Sequence, residues 1–288
     1  MIKTITSRFL HQMVADLKTK NGDIGRLLLG IFIDGLAVGM ILTHIPLMLE
    51  HNGETSRVIG WVAGAISLSI FFTSPWVGRL TNHFGMGRTV IAAGLINSIF
   101  ILAMGWSQDP LYWGVLRFLS GGVVAIRWLG MEVWINHLAE KHNRGRIMTL
   151  YTTIFSISVG LGSGLTGYIF LLGLLPYIII ALLQWLSMIP LARMKHKNIV
   201  PTAAENRRNK VKPNAKKKDI GFLFALKDNP ILLLVAMASG IMFGASSMIA
   251  VQTIKQGFNP EQASTLISFY FAGPAMLFPL IGYMVNQI

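Results

Sequence analysis

Residues 74–88 read Ser-Pro-Trp-Val-Gly-Arg-Leu-Thr-Asn-His-Phe-Gly-Met-Gly-Arg, a short basic segment between two long apolar stretches. Gly78, Asn82 and Gly85 lie within it at the spacing G-x-x-x-[D/N]-x-x-G. A glycine near the end of a helix allows a neighbouring helix to approach closely, and a short polar side chain can cap the next helix. A glycine between two helices lets the chain reverse. The segment therefore predicts a tight turn between consecutive helices.

The whole chain is as apolar as the stretches beside this turn. Of its 288 residues, 53% are hydrophobic and only 13% are charged, which is too little charge to cover a water-soluble protein of this size. A bilayer core about 30 Å thick requires roughly 20 helical residues. Eight apolar stretches approach this length, at 26–48, 58–79, 88–106, 111–137, 147–171, 173–192, 229–253 and 264–286. We expect an all-α integral membrane protein with about eight transmembrane helices.

Positive charge alternates between the connecting segments. The N-terminus (1–25), the connections near 79–88 and 138–146, and the segment 193–228 are basic, whereas the other connections carry little excess positive charge. Cytoplasmic loops are enriched in Lys and Arg. The alternation predicts a plasma (inner) membrane protein with both ends in the cytoplasm. The formal net charge of +13 therefore belongs to loops, and we expect no nucleic-acid partner.

The segment 193–228 is polar and like-charged, and it predicts a cytoplasmic linker. It separates a six-helix part (26–192) from a two-helix part (229–288). The two parts share a weak internal repeat. A shift of 204 residues superimposes Gly53 on Gly257, Pro75 on Pro279, Gly78 on Gly282 and Asn82 on Asn286.

This layout resembles the major facilitator superfamily (MFS), in which two six-helix halves are related by an axis along the membrane normal. The turn resembles the family pattern G-x-L-a-D-r-x-G-r-k at Gly78 and Gly85, with Asn82 replacing the aspartate and Arg88 displaced by two positions. The resemblance implies that these four residues form a conformational gate motif. It also implies that the family's last four helices are missing from this chain.

Ionisable residues occur inside the apolar stretches, where a charge costs roughly 2.5–3.5 kcal/mol. Asp34 lies in the first stretch, with His44 nearer its other end, and Arg117, Arg127 and Glu132 lie in the fourth. In the MFS, helices 1 and 4 line the central cavity. The resemblance therefore makes Asp34, Arg117, Arg127 and Glu132 candidates for substrate binding or coupling.

Depth in the membrane predicts how these charges pair. At 1.5 Å per residue, Asp34 lies about 10–12 Å and Arg127 about 15 Å from the same cytoplasmic surface, with Arg117 about 15 Å further out. We expect Asp34 to pair with Arg127 and Arg117 to stay free for substrate or coupling. The alternative is that the pair only holds two helices together. A charge swap that recovered expression together with transport would indicate that structural role.

Two parts of the fourth stretch resemble family motifs. Arg117-Phe-Leu-Ser-Gly-Gly122 resembles R-x-x-q-G-x-g, whose arginine is associated with proton coupling in proton-coupled members. Met131-Glu-Val-Trp-Ile-Asn136, with Asn143-Arg-Gly-Arg146, resembles a drug-transporter-like branch. That similarity implies that Glu132 bonds Arg88 at a cytoplasmic gate. The alternative for Glu132 is that its carboxylate extends to the membrane interface.

The fifth stretch contains Gly160-Leu-Gly-Ser-Gly-Leu-Thr-Gly167. Small residues at this density predict close helix packing, with Gly160 and Gly164 also resembling an antiporter motif. The chain has no P-loop, no metal-ligand spacing and no nucleophile motif, so we expect no catalysis, cofactor or metal.

We therefore expect a secondary transporter that moves a small organic solute, amphipathic in character, by alternating access across the lipid bilayer. Proton coupling is a further hypothesis. The alternative is a truncated membrane protein that does not transport, either a remnant or a partner subunit.

Overall fold

The structure, a computed structural model, describes residues 22–140, 143–194 and 230–276. The regular structure in these ranges is helical, which confirms the expected all-α fold. The helices are α1 (Asp23–His51), α2 (Ser56–Phe84), α3 (Met86–Met104), α4 (Pro110–Leu138), α5 (Arg144–Ile169), α6 (Leu175–Ala192), α7 (Pro230–Lys255) and α8 (Pro260–Ala272). A short 3-10 turn, Gly273–Met276, follows α8. Helices α1 to α6 are long and apolar enough to cross a membrane.

Helices α1 to α5 and α8 begin one to four residues earlier than the corresponding apolar stretches, whereas α6 begins two residues later than its stretch. α1 begins at Asp23, three residues before the expected boundary. α8 begins at Pro260 because Asn259 caps it. The expected linker beyond residue 194 and most of the basic N-terminus lie outside the described residues. The repeat positions Pro279, Gly282 and Asn286 also lie outside them.

Helix α1 is the most buried of the six long helices. It packs against α5 and α6 and also contacts α7, whereas α4 packs between α2 and α3, and α8 packs on α5. The bundle has two ends. The Gly53 end carries the α1–α2, α3–α4, α5–α6 and α7–α8 turns. The Gly85 end carries the start of α1, the α2–α3 turn and the α4–α5 connection. One cluster of buried apolar side chains fills the bundle toward the Gly53 end, and a second fills it toward the Gly85 end.

The turn that separates α2 from α3 is tighter than the sequence predicts. α2 continues through Asn82 to Phe84, and Gly85 follows with φ 86°, a conformation that glycine adopts readily. One expectation is wrong here. Asn82 does not cap α3, because it lies within α2, and Gly85 is the N-cap residue without a side-chain hydrogen bond. No described residue lies within 4 Å of the position that a Cβ atom would take at Gly78.

The α1–α2 and α7–α8 turns share one hydrogen-bond pattern. Gly53 and Gly257 adopt φ 80° and 88°, and their N–H groups donate to the carbonyl three residues earlier at 3.0 and 2.9 Å. Thr55 and Asn259 cap the next helix by accepting from the N–H three residues later at 3.4 and 2.8 Å. All four positions obey the shift of 204 residues. In the described part of the chain, the repeat is therefore present in the structure as well as in the sequence.

Candidate functional site

Asp34 and Arg127 form a buried ion pair between α1 and α4. Arg127 Nη2 lies 2.8 Å from Asp34 Oδ1, and both side chains are almost inaccessible to solvent. The pairing expected from their depths is present. Asp34 is deeper than expected because α1 begins at Asp23, so both residues lie about 16 Å from the Gly85 end.

Two further helices hold the Arg127 guanidinium. Its Nη2 donates a hydrogen bond to Ser187 Oγ on α6 at 2.6 Å. On α3, Gly94 leaves room for the guanidinium, since a Cβ atom at that position would overlap it. Arg127 Nε and Nη1 have no hydrogen-bond partner among the described residues. The pair therefore joins α1, α3, α4 and α6, and its arginine keeps spare donors.

Arg117 lies about 15 Å from Arg127 toward the Gly53 end of α4. It is 4% exposed, and no ion pair to Arg117 occurs among the described residues. Its Nε atom is buried without a hydrogen-bond partner in that part of the chain. His44 lies at a similar level on α1, where its ring meets the edge of Tyr177 at 4.8 Å between centroids. The structure thus leaves Arg117 separate from the Asp34–Arg127 pair.

Glu132 is partly exposed, and no ion pair connects it with Arg88 in the described part of the chain. Arg88 itself is exposed near the start of α3. Because α4 continues to Leu138, Glu132 lies about 9 Å inside the helix end. Its carboxylate is therefore an acidic group within a membrane-spanning helix.

Three aromatic rings lie between α4 and α5, and we call them the aromatic wall: Trp128, Tyr151 and Phe155. Trp128 and Phe155 stack with centroids 6.3 Å apart and planes 24° apart. Tyr151 and Phe155 stack at 6.5 Å and 8°. Trp128 also donates a side-chain hydrogen bond to the Tyr151 hydroxyl. The two helices pack against each other only slightly, so these rings bridge the space between them.

The carboxylates adjoin the aromatic wall. Both Glu132 and Asp34 are close enough to Tyr151 to act on its hydroxyl electrostatically. Gly35, next to Asp34, packs against Ser158 and the Phe155 carbonyl. α1, α4 and α5 therefore converge on one site, in which Tyr151 is buried and the other two rings of the wall are partly exposed.

Gly160 and Gly164 lie where α5 meets α8, a contact that we call the α5–α8 seam. Ser268 Oγ donates to the Gly160 carbonyl at 2.6 Å, and Ser264 Oγ donates to the Gly164 carbonyl at 3.3 Å. A Cβ atom at Gly160 would press on the α8 backbone. The glycines thus allow the helices to approach until serine hydroxyls reach the opposite backbone.

The other side of α5 packs equally closely on α1. Ser163 Oγ donates to the Gly39 carbonyl at 3.2 Å, and Gly162 lies against the Leu36 carbonyl. The spacing Gly35-x-x-x-Gly39 signals this contact in the sequence. This contact was not among the expectations from the sequence. Neither were the contacts of Ser187 and Gly94 with Arg127, for which no local pattern exists.

An open groove of about 410 Å³ lies at the Gly53 end, away from the ion pair. Its lining includes Glu54, Arg57, Trp61, Asp109 and Leu111. The described residues contain no group of three or more His, Cys, Asp or Glu side chains that could hold a metal ion. In the described part of the chain, the buried pair Asp34–Arg127 and the partly buried Glu132 therefore lie away from this groove, where α1, α4 and α5 converge.

Residues 27–288 match the family model described as Major Facilitator Superfamily. The MFS-type transporter YfkF of Bacillus subtilis is 26% identical over 163 residues, which cover 56% of this chain and 42% of the relative. YcaD of Escherichia fergusonii is 28% identical over 159 residues, covering 53% and 40%. The matches thus span less than half the length of these curated relatives.

Two solved structures share the fold. The nucleoside transporter NupG superimposes with a TM-score of 0.65 and 14% identity, covering 92% of this chain and 68% of that one. A D-xylose–proton symporter superimposes with a TM-score of 0.54 and 14% identity, covering 91% and 82%. At this identity the similarity establishes the fold alone.

Proposed function

The chain belongs to the major facilitator superfamily, and we propose that it transports a small organic solute by alternating access. The observation that carries this proposal is the α5–α8 seam. It joins the six-helix part to the later helices through glycine backbones and two serine hydroxyls. Each such hydrogen bond contributes only about 0.5–1.5 kcal/mol net. A seam of this kind can separate and close again at little cost.

The seam lies toward the Gly53 end of α5. At the same end, Lys255 Nζ donates to Ser56 Oγ at 2.7 Å, which joins the last turn of α7 to the first turn of α2. We therefore take the described conformation to be closed at the Gly53 end. With the basic loops in the cytoplasm, that end faces outward, and the N-terminus is cytoplasmic.

Proton coupling is the finer part of the proposal. Glu132 and Asp34 are acidic groups in spanning helices, and we propose that Arg117, buried about 15 Å along α4 from Arg127, modulates their protonation. Changing Glu132→Gln and Asp34→Asn separately should each abolish uptake driven by a proton gradient in proteoliposomes. If both variants kept full gradient-driven activity, proton coupling through these acids would be wrong.

A disulfide lock tests alternating access directly. A Cβ atom at Gly164 would lie 3.5 Å from Ser268 Cβ, within the range for a disulfide. The chain has no cysteine, so Gly164→Cys with Ser268→Cys introduces the only thiols. We expect oxidation to stop transport and a reductant to restore it, whereas either single variant should be insensitive.

The assay is uptake into proteoliposomes with an imposed proton gradient, using a nucleoside, a pentose and a lipophilic organic cation as solutes. Transport that continues after complete disulfide formation would exclude opening at this seam. If the unaltered protein moved none of the solutes with or without the gradient, the non-transporting alternative would replace this proposal.

A further inference from the structure

We propose that the aromatic wall and Glu132 bind a monovalent organic cation, an inference that rests on the proposed transport function and names its substrate class. The wall consists of Trp128, Tyr151 and Phe155, as defined above. Neither the family match nor the names of the relatives indicate this ligand. The charge of the site, the geometry of its rings and its depth in the membrane favour such a cation.

The charge of the site favours a single positive charge. Asp34 is already neutralised by Arg127 at 2.8 Å. Glu132 has no cationic partner among the described residues, so the three groups together carry one net negative charge. An unpaired carboxylate inside a spanning helix is costly. A bound monocation would remove that cost.

The rings favour a cation with apolar substituents. Aromatic faces carry negative electrostatic potential and attract a cation within about 6 Å of the ring centroid. Phe155 stacks in near-parallel pairs with both Trp128 and Tyr151. Trp128 and Phe155 are partly exposed, so a ligand can reach them, whereas Tyr151 is buried.

The same geometry disfavours sugars and anions. A sugar requires several hydrogen-bond donors and acceptors, but the indole N–H of Trp128 is already donated to Tyr151. An anion would meet the negative ring faces and the Glu132 carboxylate.

Depth brings the carboxylate and the rings together. Counting from the Gly85 end at 1.5 Å per residue, Glu132 and Tyr151 lie at about 9–10 Å, and Trp128 and Phe155 at about 15–16 Å. A cation entering from that end therefore passes Glu132 before it reaches the inner rings. The wall extends over about one helical turn, roughly 6 Å along the helix axes.

The test measures equilibrium binding to purified protein in nanodiscs, independently of transport. Radiolabelled tetraphenylphosphonium is the probe, and tetraphenylborate, with the same shape and opposite charge, is the competitor. We expect Glu132→Gln to weaken binding about tenfold or more, equivalent to about 1.4 kcal/mol. Phe155→Leu should weaken it about 3- to 10-fold. The control Trp106→Leu, at an exposed tryptophan in the α3–α4 turn, should leave binding unchanged.

Glu132→Asp keeps the charge and should retain most of the affinity, which separates loss of charge from loss of folding. Equal binding of tetraphenylborate, or full affinity in Glu132→Gln, would overturn the inference. Transport of a nucleoside or pentose without cation binding would also overturn it while leaving the transport function intact. Charge-dependent cation binding without transport of any solute would support the site and contradict the proposed function.

Discussion

Asp34 and Arg127 stand eleven residues from the same end of the bundle, on antiparallel helices α1 and α4, with their charged atoms 2.8 Å apart. The Arg127 side chain packs against Gly94 and donates a hydrogen bond to Ser187 Oγ. Four helices therefore meet at one charge pair. Because the pair is buried, each partner depends on the other for neutralisation.

Removing one partner should destabilise the protein strongly. Asp34→Asn leaves a buried guanidinium unpaired, and Arg127→Gln leaves a buried carboxylate unpaired, at a cost of about 3–5 kcal/mol each. Thermal unfolding in detergent, followed by tryptophan fluorescence, should show a clear fall in Tm for both. Arg57→Gln, at an exposed arginine, is the control. The double variant should lose less than the sum of the two single losses, and simple additivity would show that the charges are not coupled.

The α1–α5 contact should tolerate no additional methyl group. A Cβ atom at Gly39 would overlap the Val159 carbonyl, so Gly39→Ala must push the helices apart. We expect a loss of about 1–3 kcal/mol, typical of overpacking, measured as a lower Tm. Gly64→Ala is the matched control, because Gly64 lies inside α2 and no described residue comes within 4 Å of the position of its missing Cβ. That control should be neutral or slightly stabilising, since alanine is the better helix former by about 1 kcal/mol. Equal effects of the two substitutions would contradict the described packing.

Gly85 should resist substitution for a different reason. Its φ of 86° combined with ψ of 143° is unfavourable for residues with a Cβ atom, so Gly85→Ala should cost about 1–3 kcal/mol and lower the Tm. Gly78→Ala, seven residues earlier in α2, adds a methyl group that no described residue would touch, so it should leave the Tm unchanged. A large loss at Gly78 would instead reveal a helix packed on that face.

The two equivalent helix caps should respond alike. Thr55→Ala and Asn259→Ala each remove a side-chain acceptor from the first turn of a helix, at a cost of about 0.5–2 kcal/mol. The hydrogen bond of Asn259 is shorter, so its loss should be the larger of the two. The Tm of each variant checks this, with Thr55→Ser and Asn259→Asp as substitutions that retain a cap. An unchanged Tm at both caps would show that the shared pattern has no energetic role.

Depth along a helix could be predicted from the sequence, whereas rotation about its axis could not. The length of the apolar stretches fixes how far Asp34 and Arg127 lie from the membrane surface, and their pairing follows. Which helices flank the arginine depends on how α4 is rotated and on which neighbours surround it. No sequence pattern links Ser187 or Gly94 to Arg127 at separations of tens of residues.

The other differences between the expected and the observed structure concern the end of α2 and the contact between α4 and α5. Asn82 was expected to cap α3, but α2 continued past it, so its side chain belongs to the earlier helix. The aromatic wall was missed because stacking of Trp128 on Phe155 depends on the gap between α4 and α5. By contrast, Gly160 and Gly164 could be selected from the sequence, since dense glycine in a membrane helix has few roles other than close packing.

Helix α5 is the helix that should have changed least during evolution. One side of it lies against α1 through Gly162 and Ser163, and another lies against α8 through Gly160 and Gly164. Larger side chains are excluded from both sides, which leaves outward-facing positions such as Leu161 and Leu165 free to vary. Aligned relatives should therefore show invariant small residues on the two packed sides of α5. The outward-facing side should show apolar residues that vary from one relative to another. α2, with far more exposed surface, should show a looser pattern along most of its length.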